Sequence, residues 1–305
     1  MKKVEYGQGE KVTLACLVGN ILLSIFKGIA GYLGGSKAMI ADAFHSASDV
    51  LATIVVYFSI KIAGRPVDKG HPYGHGKIEP LAAAFVGITL VIAAYFIVKG
   101  IIESIVAQSF NAPSIIALIA AVVSIVVKEI MYRETYKVGQ KLNSDSIKAN
   151  AWDHRSDAYS SIGTFFGILG SIAGKHLGID FLKYLDPVAG ILVASLIFKI
   201  AFEILGGAIK GLMDAHPGDD KLEDIWKVVE SVEGVVSIDW IRARYIGSHL
   251  MVDMAIVVDA KKSVHEGHVI ADAVRDRVLE KVNNTGEVLV HVNPASDNND
   301  ADRGM

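Results

Sequence analysis

Cysteine is almost absent from this sequence, since Cys16 is the only one among 305 residues. A single thiol excludes an intrachain disulfide framework and any metal cluster built from several thiolates. An excess of basic charge is lacking too, because a formal net charge of -3 gives the chain no overall positive field for nucleic acid. The HExxH, GxSxG and P-loop patterns of metalloproteases, serine hydrolases and nucleotide-binding enzymes do not occur. We therefore expect a protein that is not an enzyme.

Long apolar segments are what the sequence has instead. Apolar residues make up 51% of the chain and its mean hydropathy is positive, which exceeds what a soluble domain of this length needs for a core. Six segments of roughly twenty residues are long enough to span a lipid bilayer as helices. We predict transmembrane helices at 12–33, 38–63, 80–104, 113–133, 147–173 and 187–209. The second and fifth carry carboxylates, so we expect them inside the bundle, away from lipid.

Basic residues are distributed unevenly between the two ends of the predicted helices. The connections on one side are rich in lysine and arginine, whereas those on the other side hold only Lys37, Lys175 and Lys183. Because basic loops stay on the cytoplasmic side of a membrane, we expect both termini in the cytoplasm. We therefore predict a multi-pass protein of the cytoplasmic (inner) membrane, or of an internal membrane derived from it.

The sequence pattern changes after Pro217 to that of a small α+β domain. Apolar residues alternate from Leu250 to Val258, as they do in a half-buried strand. We predict a helix at 220–232, strands at 235–245 and 249–259, a helix at 263–282 and a strand at 287–291. The expected fold is thus a six-helix transmembrane bundle followed by a cytoplasmic αββαβ domain. The expected limits are 1–210 for the bundle, 211–295 for the cytoplasmic domain and 296–305 for a disordered tail.

A short internal repeat relates the second and fifth segments. His45 and Asp49 stand four residues apart in one, and Asp153 and Asp157 stand four apart in the other. This spacing places each pair on one face of a helix, so two facing helices would supply four nitrogen and oxygen ligands to one divalent ion. Polar residues can also simply hold membrane helices together. Three carboxylates in matched positions at membrane depth favour the metal site, because ionisable groups are costly there.

Three neighbours of these motifs have other expected roles. Asp42 lies seven residues before Asp49 and roughly on the same face, as either a partner of the ligands or a structural cap. His154 and Arg155 adjoin a candidate ligand but point elsewhere on the helix. We expect packing or loop contacts for both.

A second cluster of metal-binding residue types lies in the loop between the second and third segments. Asp68, His71 and His75 fall within DKGHPYGHGK, whose glycines and proline can shape a tight loop. Such a loop would bring one carboxylate and two imidazoles to a single ion. Short histidine-rich loops also bind metal adventitiously, so the sequence leaves both readings open.

Taken together, these motifs resemble the cation diffusion facilitator family of bacterial metal transporters over nearly the whole chain. The resemblance rests on the six segments, the HxxxD and DxxxD pair, the HPYGHGK loop and a terminal αββαβ domain similar to copper metallochaperones. It implies a secondary active transporter that exchanges a cytoplasmic divalent metal for protons. It also implies a homodimer, held partly by cytoplasmic domains that bind further, regulatory metal.

The resemblance carries family roles to particular residues. The transport site would be His45, Asp49, Asp153 and Asp157, with Asp68, His71 and His75 as the loop site. Lys77 and Asp214 would form a charge interlock. In the cytoplasmic domain His268 and His291 match family ligands, and Asp239 completes that candidate set. Family members often have stronger metal ligands at the positions of Asp239, Ala255 and Asn293.

The transport tetrad departs from the usual zinc pattern at one position. Typical zinc members have His where this chain has Asp153, so the set here is one His and three Asp. Harder oxygen ligands shift the expected substrate from zinc toward iron(II) or manganese, with cobalt and cadmium as further options. The NAWDxRSD sequence also resembles magnetosome-associated members, which handle iron. A different reading is a membrane-anchored metal sensor that recruits partners without transport.

Overall fold

The computed structural model describes residues 2–107, 112–141, 145–247 and 249–295. Within those ranges the first part of the chain forms six long helices. They are α1 (Lys2–Gly34), α2 (Lys37–Ala63), α3 (Ile78–Val106), α4 (Ile115–Lys141), α5 (Asp145–Leu177) and α6 (Leu185–Leu212). These helices contain the six predicted segments, apart from the first residues of the fourth, and extend beyond most of their ends. The tail predicted to be disordered, 296–305, lies outside the described residues.

The chain divides into two compact units. The helical unit comprises Met1–Phe58 and Ala83–Leu205, and the α/β unit comprises Ser59–Ala82 and Gly206–Met305. The loop between α2 and α3 thus belongs to the same unit as the C-terminal residues. Each unit is described separately below.

Five helices are both long enough and apolar enough to cross a membrane among the residues described. Their candidate spans are Val12–Gly34, Lys37–Ala63, Ile78–Val106, Ile115–Lys141 and Asp180–Leu212. Helix α5 has 33 residues, about 50 Å at 1.5 Å per residue, so its length suffices while its composition does not. Its first half, DSIKANAWDHRSD, is polar because it carries the DxxxD motif. A polar helix of this kind suits a position inside a bundle.

Small residues let the helices of the helical unit approach closely. On α4 the buried face includes Ala117, Ala120 and Ala121, each at most 1% exposed. At Gly167 of α5, a Cβ atom would lie 2.4 Å from the Cβ of Ala189 on α6. Because apolar side chains gain little from leaving lipid, such close backbone packing is a main source of helix association in membranes. It also fixes the rotation of α5, and with it the direction of its carboxylates.

The α/β unit contains the predicted αββαβ order. Its elements are α7 (Asp219–Glu230), β1 (Ser237–Ile246), β2 (His249–Val258), α8 (Val264–Lys281) and β3 (Thr285–Pro294). The sheet has the order β1-β2-β3, with β1 antiparallel and β3 parallel to the central strand. Strand β2 supplies much of the core through Leu250, Val252, Met254 and Ile256, which pack with α7 and α8. The parallel pairing of β3 requires a crossover, which α8 provides.

Candidate metal centre

Helices α2 and α5 bring three of the four predicted transport ligands together. His45 and Asp49 lie one turn apart on α2, and Asp157 faces them from α5. Each of these residues has a ligand atom within 4.8 Å of the others. His45 Nε2 and Asp157 Oδ1 are 3.5 Å apart. One nitrogen and two carboxylate oxygens at this separation can converge on a single divalent ion after small side-chain adjustments.

The fourth predicted ligand, Asp153, lies beside this cluster but outside it. Its side chain is exposed, whereas His45 is buried and Asp49 and Asp157 are partly buried. All four nevertheless line one cavity of about 670 Å³ within the helical unit. Asp153 stands one turn before Asp157 on α5, so it can approach an ion in the cavity by a change of side-chain rotamer.

Buried polar atoms in this cavity lack hydrogen-bond partners among the described residues. They are His45 Nδ1, Asp49 Oδ2, His154 Nε2 and Ser160 Oγ. Buried polar atoms are nearly always satisfied in folded proteins, and exceptions need a physical reason. A cluster of them around converging carboxylates is the arrangement expected where a cation binds.

A buried lysine contacts the candidate ligands, and sequence reasoning missed it. Lys128 of α4 is fully buried, and its Nζ donates hydrogen bonds to Asp157 Oδ2 at 2.5 Å and Asn20 Oδ1 at 2.8 Å. The sequence did contain a sign of this contact, since Lys128 is an ionisable residue inside the apolar segment 113–133. Such residues usually face the interior of a helix bundle and have a partner there.

A second buried lysine explains Asp42. Lys27 of α1 lies 2.8 Å from Asp42 Oδ2 and donates to the hydroxyls of Ser46 and Ser161. Ser161 also donates to Asp42 Oδ2 at 3.0 Å. This network joins α1, α2 and α5, so Asp42 is the buried partner of a lysine and not a helix cap.

The two residues after Asp153 behave differently from each other. His154 was expected in packing contacts, but it lines the same cavity as the candidate ligands. Arg155 donates to the Tyr132 hydroxyl at 2.9 Å and lies 4.5 Å above the centre of that ring. It also lies 5.4 Å from the centre of the Trp152 ring, which is a packing role. Its cation–π contacts orient the helix turn that carries Asp153.

In the α/β unit the loop between α2 and α3 assembles the second predicted cluster. Asp68 Oδ1 lies 3.3 Å from His71 Nδ1, and Asp68 Oδ2 lies 3.3 Å from His75 Nε2. The two imidazole rings are 4.3 Å apart. Backbone N–H groups of His71 and Gly70 donate to the Asp68 carboxylate and hold its pKa below the usual range. The loop thus presents an ionised carboxylate and two imidazoles on one side.

The predicted interlock pair is in direct contact. Lys77 Nζ lies 2.5 Å from Asp214 Oδ1 and donates to the carbonyls of Gly211 and Leu212 at 2.9 and 3.4 Å. Lys77 therefore caps the C-terminal end of α6, where unpaired carbonyls and the helix dipole favour a cation. Arg244 approaches the same Asp214 oxygen at 3.9 Å.

The three candidate ligands near the C-terminus are dispersed within a single chain. His268 lies on α8 beside Asp272, at 3.6 Å, and its side chain is exposed. Asp239 of β1 accepts a hydrogen bond from Asn293 at 2.6 Å, and His291 pairs with Ala255 across β2 and β3. Among the described residues these three do not form a cluster with ligand atoms within 4.8 Å.

Comparison with protein families agrees with this two-part organisation. Residues 13–213 match the cation efflux transmembrane domain. Residues 217–295 match the cytoplasmic domain of cation efflux proteins, which is a dimerisation domain. The two matches together cover most of the chain.

The relatives of this chain include a manganese efflux protein, a magnetosome protein and a metal tolerance protein. The manganese efflux system protein MneP of Bacillus subtilis is 39% identical over 284 residues, which are 93% of this chain and 95% of that protein. Magnetosome protein MamB of Paramagnetospirillum magneticum is 35% identical over 94% of each chain. Metal tolerance protein C1 of Arabidopsis thaliana is 37% identical over 94% of this chain and 63% of that protein. The chain therefore belongs to the cation efflux family, the cation diffusion facilitators, and is a membrane transporter of metal cations.

Proposed function

We propose that this protein exports Mn²⁺ from the cytoplasm in exchange for protons, with His45, Asp49, Asp153 and Asp157 as its transport site. The observation that carries the proposal is the convergence of three of these ligands within 4.8 Å in a cavity that the fourth also lines. One imidazole and three carboxylates suit a hard divalent ion. The 39% identity to a manganese efflux protein supports the same choice. Fe²⁺ is the next candidate substrate, since MamB is a magnetosome protein.

Coupling to protons follows from competition for the same ligand atoms. A metal ion binds the deprotonated forms of carboxylate and imidazole, so its arrival releases protons and protonation releases the metal. His45 is the natural coupling residue, because imidazole is the side chain that ordinarily changes charge near neutral pH. Alternating exposure of the cavity to the two sides of the membrane would complete the cycle.

The wider assembly belongs to the same proposal. We place both termini in the cytoplasm of a homodimer, with the transmembrane domain at 1–210 and the cytoplasmic domain at 211–295. Asp68, His71 and His75 would bind a regulatory ion in the loop. His268, His291 and Asp239 would bind metal near the dimer contact. Lys77 and Asp214 would keep the end of α6 fixed during transport.

Flux in proteoliposomes tests the proposed function. Purified protein is reconstituted, and uptake of manganese, iron(II), zinc, cobalt and cadmium is measured in parallel, together with the internal pH. We expect manganese to move fastest and to drive proton movement in the opposite direction. Metal-independent pH traces, or no flux for any metal, would contradict the transporter and favour a sensor without transport.

Replacement of Lys77 by methionine tests its positioning role. Lys77→Met removes a half-exposed ion pair and a helix cap, so we expect it to lower the free energy of unfolding by about 1 kcal/mol. Turnover should fall, while manganese affinity at the transport site should stay within about twofold, because lysine cannot be a metal ligand. Calorimetry and flux assays measure these quantities. A large loss of affinity would show that Lys77 acts on the transport site itself.

The loop site should lose metal as pH falls from 7 to 5. In a background with Asp49→Asn, His268→Ala and His291→Ala, only the loop site remains of the three proposed sites. We expect its zinc affinity to fall at least about tenfold across this range, because imidazoles must be neutral to bind. The Asp68 carboxylate is not the cause. Its pKa is lowered in the folded loop, so it stays ionised throughout this range and gains a proton only at lower pH. Unchanged zinc affinity in a calorimetric titration would exclude His71 and His75 as ligands.

A further inference from the structure

Lys128 places a positive charge directly beside the proposed transport site. Its side chain is fully buried on α4, and its Nζ contacts Asp157 Oδ2 at 2.5 Å. The other oxygen of the same carboxylate, Oδ1, lies 3.5 Å from His45 Nε2 within the candidate metal cluster. Asp157 is therefore shared between the candidate ligand His45 on one side and the ammonium of Lys128 on the other.

The charges around the cavity balance when this lysine is included. A metal ion binds the deprotonated forms of its ligands, in which Asp49, Asp153 and Asp157 contribute three negative charges and His45 contributes none. With Lys128 counted, the site carries a net charge of about minus two, which a divalent ion neutralises. Buried charge is tolerated only when it is paired, so this balance affects both the binding and the release of the ion.

Lys128 has a second hydrogen-bond acceptor in the same cavity, in addition to Asp157. Asn20 Oδ1 accepts a hydrogen bond from Lys128 at 2.8 Å, and Asn20 lines the same cavity as the candidate ligands. The ammonium can therefore leave Asp157 and keep a hydrogen bond when a metal ion takes that carboxylate. The side chain of lysine is long and flexible enough for such a shift.

We propose that Lys128 is an internal counter-cation that competes with the transported metal for Asp157. It holds the carboxylate when the metal is absent, moves toward Asn20 when the metal binds, and returns as the metal leaves. This inference rests on the proposed transport site. Its role is to keep metal affinity moderate, so that the ion is released quickly. Lys128 is thus a positioning residue that acts through Asp157 and not a ligand.

Lys27 provides a matched control for this proposal. It is also a fully buried lysine paired with an aspartate, Asp42, at 2.8 Å. Its hydrogen-bond partners Ser46 and Ser161 are not candidate metal ligands. Loss of Lys27 therefore removes a buried ion pair of the same kind without changing the competition for Asp157.

The test compares Lys128→Met, Lys128→Arg and Lys27→Met in full-length protein. All are made in a parent that carries Asp68→Asn, His268→Ala and His291→Ala, which disable the loop site and the candidate site near the C-terminus. Mn²⁺ binding is measured by calorimetry, KM and kcat by flux into liposomes, and Tm by thermal unfolding. For Lys128→Met we expect manganese to bind at least about tenfold more tightly, with lower KM and lower kcat. Lys128→Arg keeps the charge and should retain near-parental affinity. Lys27→Met should lower Tm and change manganese affinity much less than Lys128→Met does, because Lys27 contacts no candidate ligand.

The outcomes separate this inference from the proposed function. Absence of manganese binding in this parent would overturn the transport site itself. If the parent binds manganese, and Lys128→Met has the same Kd and KM as the parent but a lower Tm, then Lys128 only stabilises the fold. If Lys128→Met does not fold, Asn20→Leu decides, because it leaves Asp157 as the lysine's main acceptor. We then expect weaker manganese binding, and an unchanged Kd would overturn the inference.

Discussion

Asp49→Asn is expected to reduce metal flux at least about a hundredfold for every metal tested. Even indirect partners of metal ligands typically change affinity by 10- to 100-fold, so loss of a direct charged ligand should exceed that range. Asp49 suits this test because its Oδ2 atom is buried and lacks a hydrogen-bond partner among the described residues. The substitution therefore removes a charge without breaking a side-chain hydrogen bond at that atom. Flux into proteoliposomes measures the effect.

Substitutions of Asp157 test the same site but also affect the stability of the fold. Asp157→Ala would leave the buried ammonium of Lys128 without its carboxylate partner, and breaking a buried ion pair in this way costs about 3–5 kcal/mol of stability. Asp157→Asn keeps an oxygen that can accept from Lys128, so it separates loss of ligand charge from loss of fold. Glu203→Gln is the matched control, since Glu203 is an exposed carboxylate on α6, paired with Lys199 at 3.9 Å. If flux in Asp49→Asn and Asp157→Asn were comparable to that in Glu203→Gln, the assigned site would be refuted.

Asp153→His should change which metal is transported. An added imidazole favours a tetrahedral, borderline-soft ion, and it removes one negative charge from the site. We expect the ratio of zinc flux to manganese flux to rise by roughly tenfold or more. The exposed position of Asp153 at the cavity wall can accept the larger ring without overpacking a core. Parallel flux measurements with zinc and manganese give the ratio.

Asp153→Asn serves as the control for this switch. It keeps the size of the side chain and removes the charge without adding an imidazole, so flux should fall for both metals with a smaller change in their ratio. If Asp153→His left the ratio at the wild-type value, selectivity would be set by the geometry around the ligands and not by the one-His set.

Most of the fold could be predicted because it depends on local sequence patterns. Hydropathy located the six long helices, and alternation from Leu250 to Val258 located the central strand. Helical spacing likewise brought His45 and Asp49 to one face. The polar first half of α5 could still be assigned to a helix, since its alanine and serine stripe continues at helical spacing to Ile168.

The partners of buried charges could not be predicted, because they depend on the rotation of each helix against its neighbours. Lys128 and Lys27 were visible as lysines in apolar segments, but their contacts with Asp157 and Asp42 join residues 29 and 15 positions apart. The same rotation leaves Asp153 outside the compact cluster, although it is spaced correctly from Asp157. The candidate ligands near the C-terminus lie on different strands and a helix, so sequence spacing gave no geometry for them.

A structure determined with Mn²⁺ bound, using anomalous scattering at the manganese absorption edge, would locate the transported ion. We expect a manganese peak in the cavity of the helical unit, coordinated by His45, Asp49, Asp157 and a reoriented Asp153. The same peak should be missing from Asp49→Asn crystals grown at the same metal concentration. Manganese bound only at the loop or the cytoplasmic domain, with the helical cavity empty of metal in the wild-type protein, would contradict the assignment of His45, Asp49, Asp153 and Asp157 as the transport site.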